Sequence, residues 1–217
     1  ALVHGMGERP LLDLAAALRG QEPAAGRERI AVFADAARRT PGVVYVAAAS
    51  DPAPRGFCEL PSHEEVCSVP AALAEAFVQE ERNRDRGAYQ DCAGKRVIAN
   101  PPPRPLATEE MDRLYALPFQ RAAHPENRER VPALEQVQFS VTAHRGCSGG
   151  CAFCGISAHQ GKAVQSRSAE SVLAEVRSFA RHPDFRGTVR DVGGATANLW
   201  GARCERGRAC ARPSCLA

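Results

Sequence analysis

Apolar positions open the chain in a strand-then-helix order. Ala1-Leu-Val-His-Gly5 is a short apolar run closed by Gly5 and Gly7. Leu11, Leu12, Leu14, Ala15 and Leu18 then recur at helical spacing, with Pro10 suited to the first turn and Gly20 as the stop. Gly5-Met-Gly7 reads as a tight turn, with a phosphate loop as the other reading; no Gly-x-Gly-x-x-Gly comes after it. Val43-Val-Tyr-Val46 predicts a second buried strand. Strand, glycine turn and helix form the unit of an open α/β sheet. Pro52, Pro54 and Gly56 read as the exit of this first module, residues 1–55.

Ser62-His-Glu-Glu65 is a capping box, predicting a helix to about Asn83 with Ala72, Leu73, Phe77 and Val78 on one face. Cys67 stands where a zincin motif would need a second histidine after His63-Glu64. Arg96-Val-Ile-Ala-Asn100 predicts a strand that the prolines of 101–105 end. Thr108 is the expected N-cap of a short helix. Residues 56–136 thus read as a connector.

From residue 137 the period becomes two: Val137, Phe139 and Val141 alternate with Gln138, Ser140 and Thr142. Ser168 is the expected cap of a helix with Val172, Leu173, Val176, Phe179 and Ala180 on one face. Gly187-Thr-Val-Arg-Asp-Val192 predicts the next strand, ended by Gly193-Gly194. Strand, long loop, helix and strand predict a parallel βαβ unit in residues 137–217. Sites in such sheets lie at the carboxyl ends of strands, so the loop after residue 142 should face Gly193-Gly194.

That loop carries His144-Arg-Gly-Cys147-Ser-Gly-Gly-Cys151-Ala-Phe-Cys154. Three thiolates on a short loop are soft ligands that select iron–sulfur clusters, zinc or cuprous ions. Gly146, Gly149 and Gly150 permit the backbone angles of a tight wrap. Three ligands leave the fourth iron of a [4Fe–4S] cluster open, and the three sulfurs are expected to converge within a cluster's width. The alternative is a non-catalytic module holding zinc or an iron–sulfur cluster, with His144 or His159 as a fourth ligand. Zinc ligands usually come as two separated short pairs, unlike this single run. Cys204, Cys210 and Cys215 are candidates for an auxiliary metal site. Cys58, Cys67 and Cys92 are isolated and read as inert.

The spacing Cys-x3-Cys-x2-Cys, with Phe153 before the last cysteine, resembles the signature of radical S-adenosylmethionine (SAM) enzymes. Met6-Gly-Glu8, Asn100-Pro-Pro-Pro103, Leu106-Ala-Thr-Glu-Glu-Met-Asp112, His159-Gln-Gly161, Gln165-Ser-Arg-Ser168 and Asp191-Val-Gly-Gly-Ala-Thr-Ala-Asn198 extend the likeness along nearly the whole chain. Together these stretches resemble the YgiQ-type radical SAM proteins. The resemblance implies an α/β fold: part of a cobalamin-domain-like module, then the start of a radical SAM partial (β/α)6 barrel. It implies that Cys147, Cys151 and Cys154 ligate a [4Fe–4S] cluster whose open iron chelates SAM. It places Phe153 beside the SAM adenine, and Gly193, Gly194 and Thr196 in a Gly-Gly-Glu-like motif that contacts the SAM amino group. Arg167 is a candidate partner for the SAM carboxylate. A radical enzyme of this kind also needs an electron donor such as flavodoxin or ferredoxin; its substrate is unknown. Cobalamin binding is not implied, since the first module lacks an Asp-x-His-x-x-Gly motif.

Composition changes this picture little. The 217 residues are 44% apolar and carry a net charge of +3, too mild to indicate nucleic acid or an anionic membrane. No apolar run is long enough to span a bilayer. Nine cysteines, an odd number with three clustered, argue for a reducing cytoplasm rather than a disulfide framework. Few residues lie beyond Cys154, with room for about two barrel strands, so the chain is expected to be a piece of a longer protein.

Overall fold

In the computed structural model the chain is described over residues 1–19, 26–204 and 215. It divides into two compact units, Ala1–Arg104 and Pro105–Ala217.

The first unit is built on a five-stranded sheet. Its strands are β1 (Leu2–Val3), β2 (Val43–Ala48), β3 (Cys58–Glu59), β4 (Ala88–Cys92) and β5 (Lys95–Ala99), in spatial order β1-β2-β5-β4-β3. Three of the four pairings are antiparallel, and only β3–β4 is parallel. Two helices, α1 (Glu8–Leu18) and α2 (Gly26–Arg39), lie between β1 and β2. Of the apolar stripe read in the sequence Leu14 packs, meeting Ala36, Ala37 and Val43 with Val3, Ala17 and Phe33 around them, whereas Leu11, Leu12 and Ala15 are exposed. Burying Leu14 and Val43 contributes about 1.5–3 kcal/mol each. Asn100 is buried beyond β5 and donates from Nδ2 to the carbonyls of Ala37 (2.9 Å) and Thr40 (2.8 Å). It thereby satisfies carbonyls at the end of α2 that the helix leaves without partners.

Because β5 pairs with both β2 and β4, the expected boundary at residue 55 falls inside one sheet. The expected single helix from Ser62 is two: α3 (His63–Ser68) and α4 (Pro70–Arg82). The capping box at Ser62 forms, but Pro70 holds Val69 in an extended conformation and restarts the helix. The apolar face expected on α4 leaves Leu73, Phe77 and Val78 exposed.

The second unit contains α5 (Thr108–Tyr115), α6 (Pro132–Val137), β6 (Ser140–Thr142), β7 (His144–Arg145), α7 (Ile156–Gln160), β8 (Gln165–Ser166), α8 (Ala169–Phe179) and β9 (Asp191–Gly193). Ala107, not Thr108, is the N-cap of α5, and its N–H donates to Glu110 Oε2 at 2.8 Å. Val137 ends a helix rather than starting a strand, and is 59% exposed. Pro132 in the first turn favours that helix, so the alternation is carried only by Phe139 and Val141. The strand expected over 187–192 shortens to β9, beginning after Gly187 at φ +84°.

The parallel βαβ reading is met by the pairing of β6 with β9, in which Thr142 faces Gly193. Helix α8 is capped by Ser168, whose hydroxyl accepts from Ser171 N–H. Phe179, Val172 and Val176 pack on Phe139 and Val141, while Leu173 and Ala180 face outward. Phe139, Phe179 and Phe185 stack edge to face or tilted, with centroids 5.0–5.8 Å apart. These contacts hold β6 and β9 under one helix, and so fix where their carboxyl ends open.

Candidate functional site

The cysteine loop leaves β7, and β7 pairs antiparallel with β8 through His144 opposite Ser166 and Arg145 opposite Gln165. Its start is held by main-chain groups. Gly146 N–H donates to Gln160 Oε1 at 3.0 Å, and Cys147 N–H donates to Gly161 O at 3.0 Å. Gly146 has φ +85°, and a Cβ there would collide with the Ala163 carbonyl, so only glycine fits. Farther on, Cys154 N–H donates to Cys151 O at 3.0 Å, and Gly149 N–H approaches Cys147 Sγ at 3.4 Å.

Cys147, Cys151 and Cys154 are free thiols, the first and third half-buried and the second exposed. Among the described residues no three His, Cys, Asp or Glu side chains gather closely enough to hold a metal ion. Their spacing on one glycine-rich loop and their soft donors fit a three-thiolate ligand set for a cluster, which is wider than a single ion. Cys215 N–H donates to Ser148 O at 3.0 Å, against the same loop. Cys210 lies outside the described residues, and Cys204 is exposed.

Gly193 and Gly194 end β9 beside the loop's root. Ala143 N–H donates to Gly193 O at 2.6 Å, continuing the β6–β9 ladder by one step. A Cβ at Gly194 would lie 2.8 Å from both Nε2 and the carbonyl oxygen of His144. Thr196 Oγ1 is 3.0 Å from His144 Nε2. Phe153 is 92% exposed on the loop.

Arg167 departs from its expected place. It is 2% exposed, and its three guanidinium nitrogens are all engaged within the unit. Nε donates to Ser171 Oγ, Nη2 to Ser171 O and Oγ, and Nη1 to Thr142 O at 3.0 Å and to Glu175. The plane also lies 4.4 Å from the Tyr115 ring centroid. Five N–H donors are the whole supply of an arginine. None is left for a SAM carboxylate; Arg167 instead ties α8 to the end of β6. Glu175 accepts Arg121 on its other oxygen, so the three side chains form one chain of charges. Neither Arg121 nor Glu175 was legible as part of a buried network, since both look like ordinary surface residues in the sequence.

Residues 1–140 match the family model described as Radical SAM N-terminal. The chain belongs to that family. The match stops at Ser140, before the cysteine loop, but likenesses to longer proteins continue through it. A UPF0313 protein of Geobacter sulfurreducens is 48% identical over 99% of this chain and 35% of its own length. A UPF0313 protein of Methanocella arvoryzae is 41% identical over 94% of this chain and 33% of its own length. A third, from Bacteroides thetaiotaomicron, is 38% identical over 99% and 36%. These relatives and the family match make the chain a YgiQ-type radical SAM protein, as its motifs suggested. The chain spans about a third of the length of the curated relatives it matches. No solved structure matches it. No helix among the described residues is long and apolar enough to cross a membrane.

Proposed function

We propose that this chain carries the cofactor end of a radical SAM enzyme, with Cys147, Cys151 and Cys154 holding a [4Fe–4S] cluster and SAM on its open iron. Such a cluster, when bound, supplies the electron that cleaves SAM reductively to methionine and a 5′-deoxyadenosyl radical. The observation that carries the reading is the parallel pairing of β6 and β9, which brings the root of the cysteine loop and Gly193-Gly194 to the same end of one strand pair. A structural zinc site would not need that glycine end. Carbonyls next to glycine accept from an ammonium without a side chain in the way. Thr196 stands beside them, and exposed Phe153 offers a ring face for an adenine. The proposal includes a cytoplasmic setting, an electron donor such as flavodoxin or ferredoxin, and a start of a (β/α)6 barrel at β6.

The test is replacement of all three cysteines by alanine, then anaerobic reconstitution and measurement of iron and acid-labile sulfide. Loss of both, together with a wild-type electron paramagnetic resonance spectrum that SAM alters, supports the reading. Unchanged iron in the triple variant, or zinc in place of iron in the wild type, overturns it.

A further inference from the structure

The glycine strand end is linked to the cysteine loop by a side chain as well as by the main chain. His144 lies three residues before Cys147 and is 1% exposed. Its Nε2 is 3.0 Å from Thr196 Oγ1. The Thr196 hydroxyl already donates to Ala197 O at 2.8 Å, so its oxygen accepts and Nε2 carries the proton. In that tautomer Nδ1 is a bare lone pair, and it is buried with no hydrogen-bond partner. The whole polar hold on the ring is therefore the single bond to Thr196. Gly194 rests against the same imidazole, at a spacing that a Cβ would break.

We propose that His144 is a positioning residue for cofactor binding. Its Nε2–H bond to Thr196 and its ring surface under Gly194 set the Gly193–Thr196 turn at a fixed distance from the cysteine loop. The inference rests on the radical SAM reading above and adds to it a residue outside the cysteine and glycine motifs. His144 touches neither the cluster ligands' sulfurs nor SAM in this role; it acts through the turn. Glutamine at 144 can place an amide N–H near the position of Nε2, whereas asparagine places its amide near Nδ1.

The experiment uses the full chain reconstituted anaerobically, as wild type, His144→Ala, His144→Asn, His144→Gln and Thr196→Val. Iron per chain is measured first, and then SAM affinity from the change in the spectrum of the reduced cluster. Expected are unchanged iron in all variants and a SAM Kd raised about tenfold in His144→Ala, His144→Asn and Thr196→Val, the effect of one lost hydrogen bond. His144→Gln should recover most of the affinity. The His144→Ala, Thr196→Val double variant should be no worse than either single one, because both remove the same bond. Wild-type affinity in His144→Ala overturns the inference, as does a His144→Gln variant as weak as His144→Ala. If His144→Ala fails to fold, His144→Asn and His144→Gln decide in the same way. A wild-type cluster that ignores SAM overturns the cofactor reading and this inference together, whereas a responsive wild type with indifferent variants overturns this one alone.

Discussion

Arg167 separates a ligand contact from a structural one, and the two make opposite predictions. Consider Arg167→Met, which keeps most of the side-chain volume and removes the charge. The guanidinium is buried, with its donors spent on Thr142, Ser171 and Glu175. Glu175 is 9% exposed, so removing Arg167 leaves a largely buried carboxylate with Arg121 as its remaining partner. Breaking a buried pair by deleting one member costs about 3–5 kcal/mol. For a chain of this size each kcal/mol moves the midpoint by roughly 2–4 °C, so a fall of roughly 6–20 °C is expected.

The assay is thermal unfolding monitored by circular dichroism, beside SAM affinity of the reconstituted protein. Removing the stranded carboxylate as well, in Arg167→Met with Glu175→Leu, should recover much of the loss, because an apolar replacement of both partners avoids the unpaired charge. Arg121 keeps its bond to the Gln138 carbonyl and is 16% exposed, so water can reach it in that double variant. A single variant that melts within about 1 °C of wild type while SAM binding collapses would refute the structural account, since the buried pair predicts several degrees per lost kcal/mol.

Three further outcomes concern particular positions. Gly146→Ala should lower cluster iron strongly on reconstitution, because the new Cβ meets the Ala163 carbonyl and φ is +85°; normal iron content would contradict the tight-loop account. Ala93→Asn should raise the urea midpoint by the equivalent of about 0.5–1 kcal/mol, because Ala93 (φ +49°) and Gly94 (φ +73°) form the two-residue turn between β4 and β5, where Asn-Gly is favoured. Asp91 titrates below the ordinary carboxylate range, chiefly because Arg96 donates hydrogen bonds to it. Its contribution is thus present above its unfolded value and is lost as pH falls through the lower folded value, so wild type should lose its advantage over Asp91→Asn only in acid, and an advantage that vanishes near neutrality would contradict the pairing.

Local signals carried well where one residue type has one use. The buried Leu14, the capping box at Ser62 and the cap at Ser168 all form where the pattern put them, while Leu11 and Leu12 of the same helix stay exposed. The reading failed where the deciding term is not local. Ala88-Tyr-Gln-Asp-Cys92 has too few apolar residues to announce a strand, yet it pairs with β5 through its whole length. Its best local sign, the Ala-Gly dipeptide at 93–94, is a weak hairpin signal beside Asn-Gly. The antiparallel sense of β1, β2 and β5 depends on chain reversal across two helices, which no period in the sequence records. Arg167 was read from its charge, but its fate was set by Glu175 eight residues on and by Tyr115 on another helix. A buried arginine and a solvated one look alike until the partners are in place.

The site itself shows the same division between main chain and side chain. Its frame is made of backbone bonds: Ala143 to Gly193, Arg167 N–H to Ala143 O at 2.9 Å, and Cys147 to Gly161. Those bonds are dictated by strand pairing and by glycines that admit close approach, so they form whether or not a ligand is present. The thiol side chains carry no such constraint; Cys151 is exposed at the crown of the loop. Gathering three thiolates round one cluster brings like charges together, and only the metal's own charge offsets that repulsion. Binding free energy therefore has to arrange the sulfurs, while folding arranges the strand ends that aim them. This division explains why the motif was legible at the level of spacing, and why the sequence pattern could place the loop at a strand end.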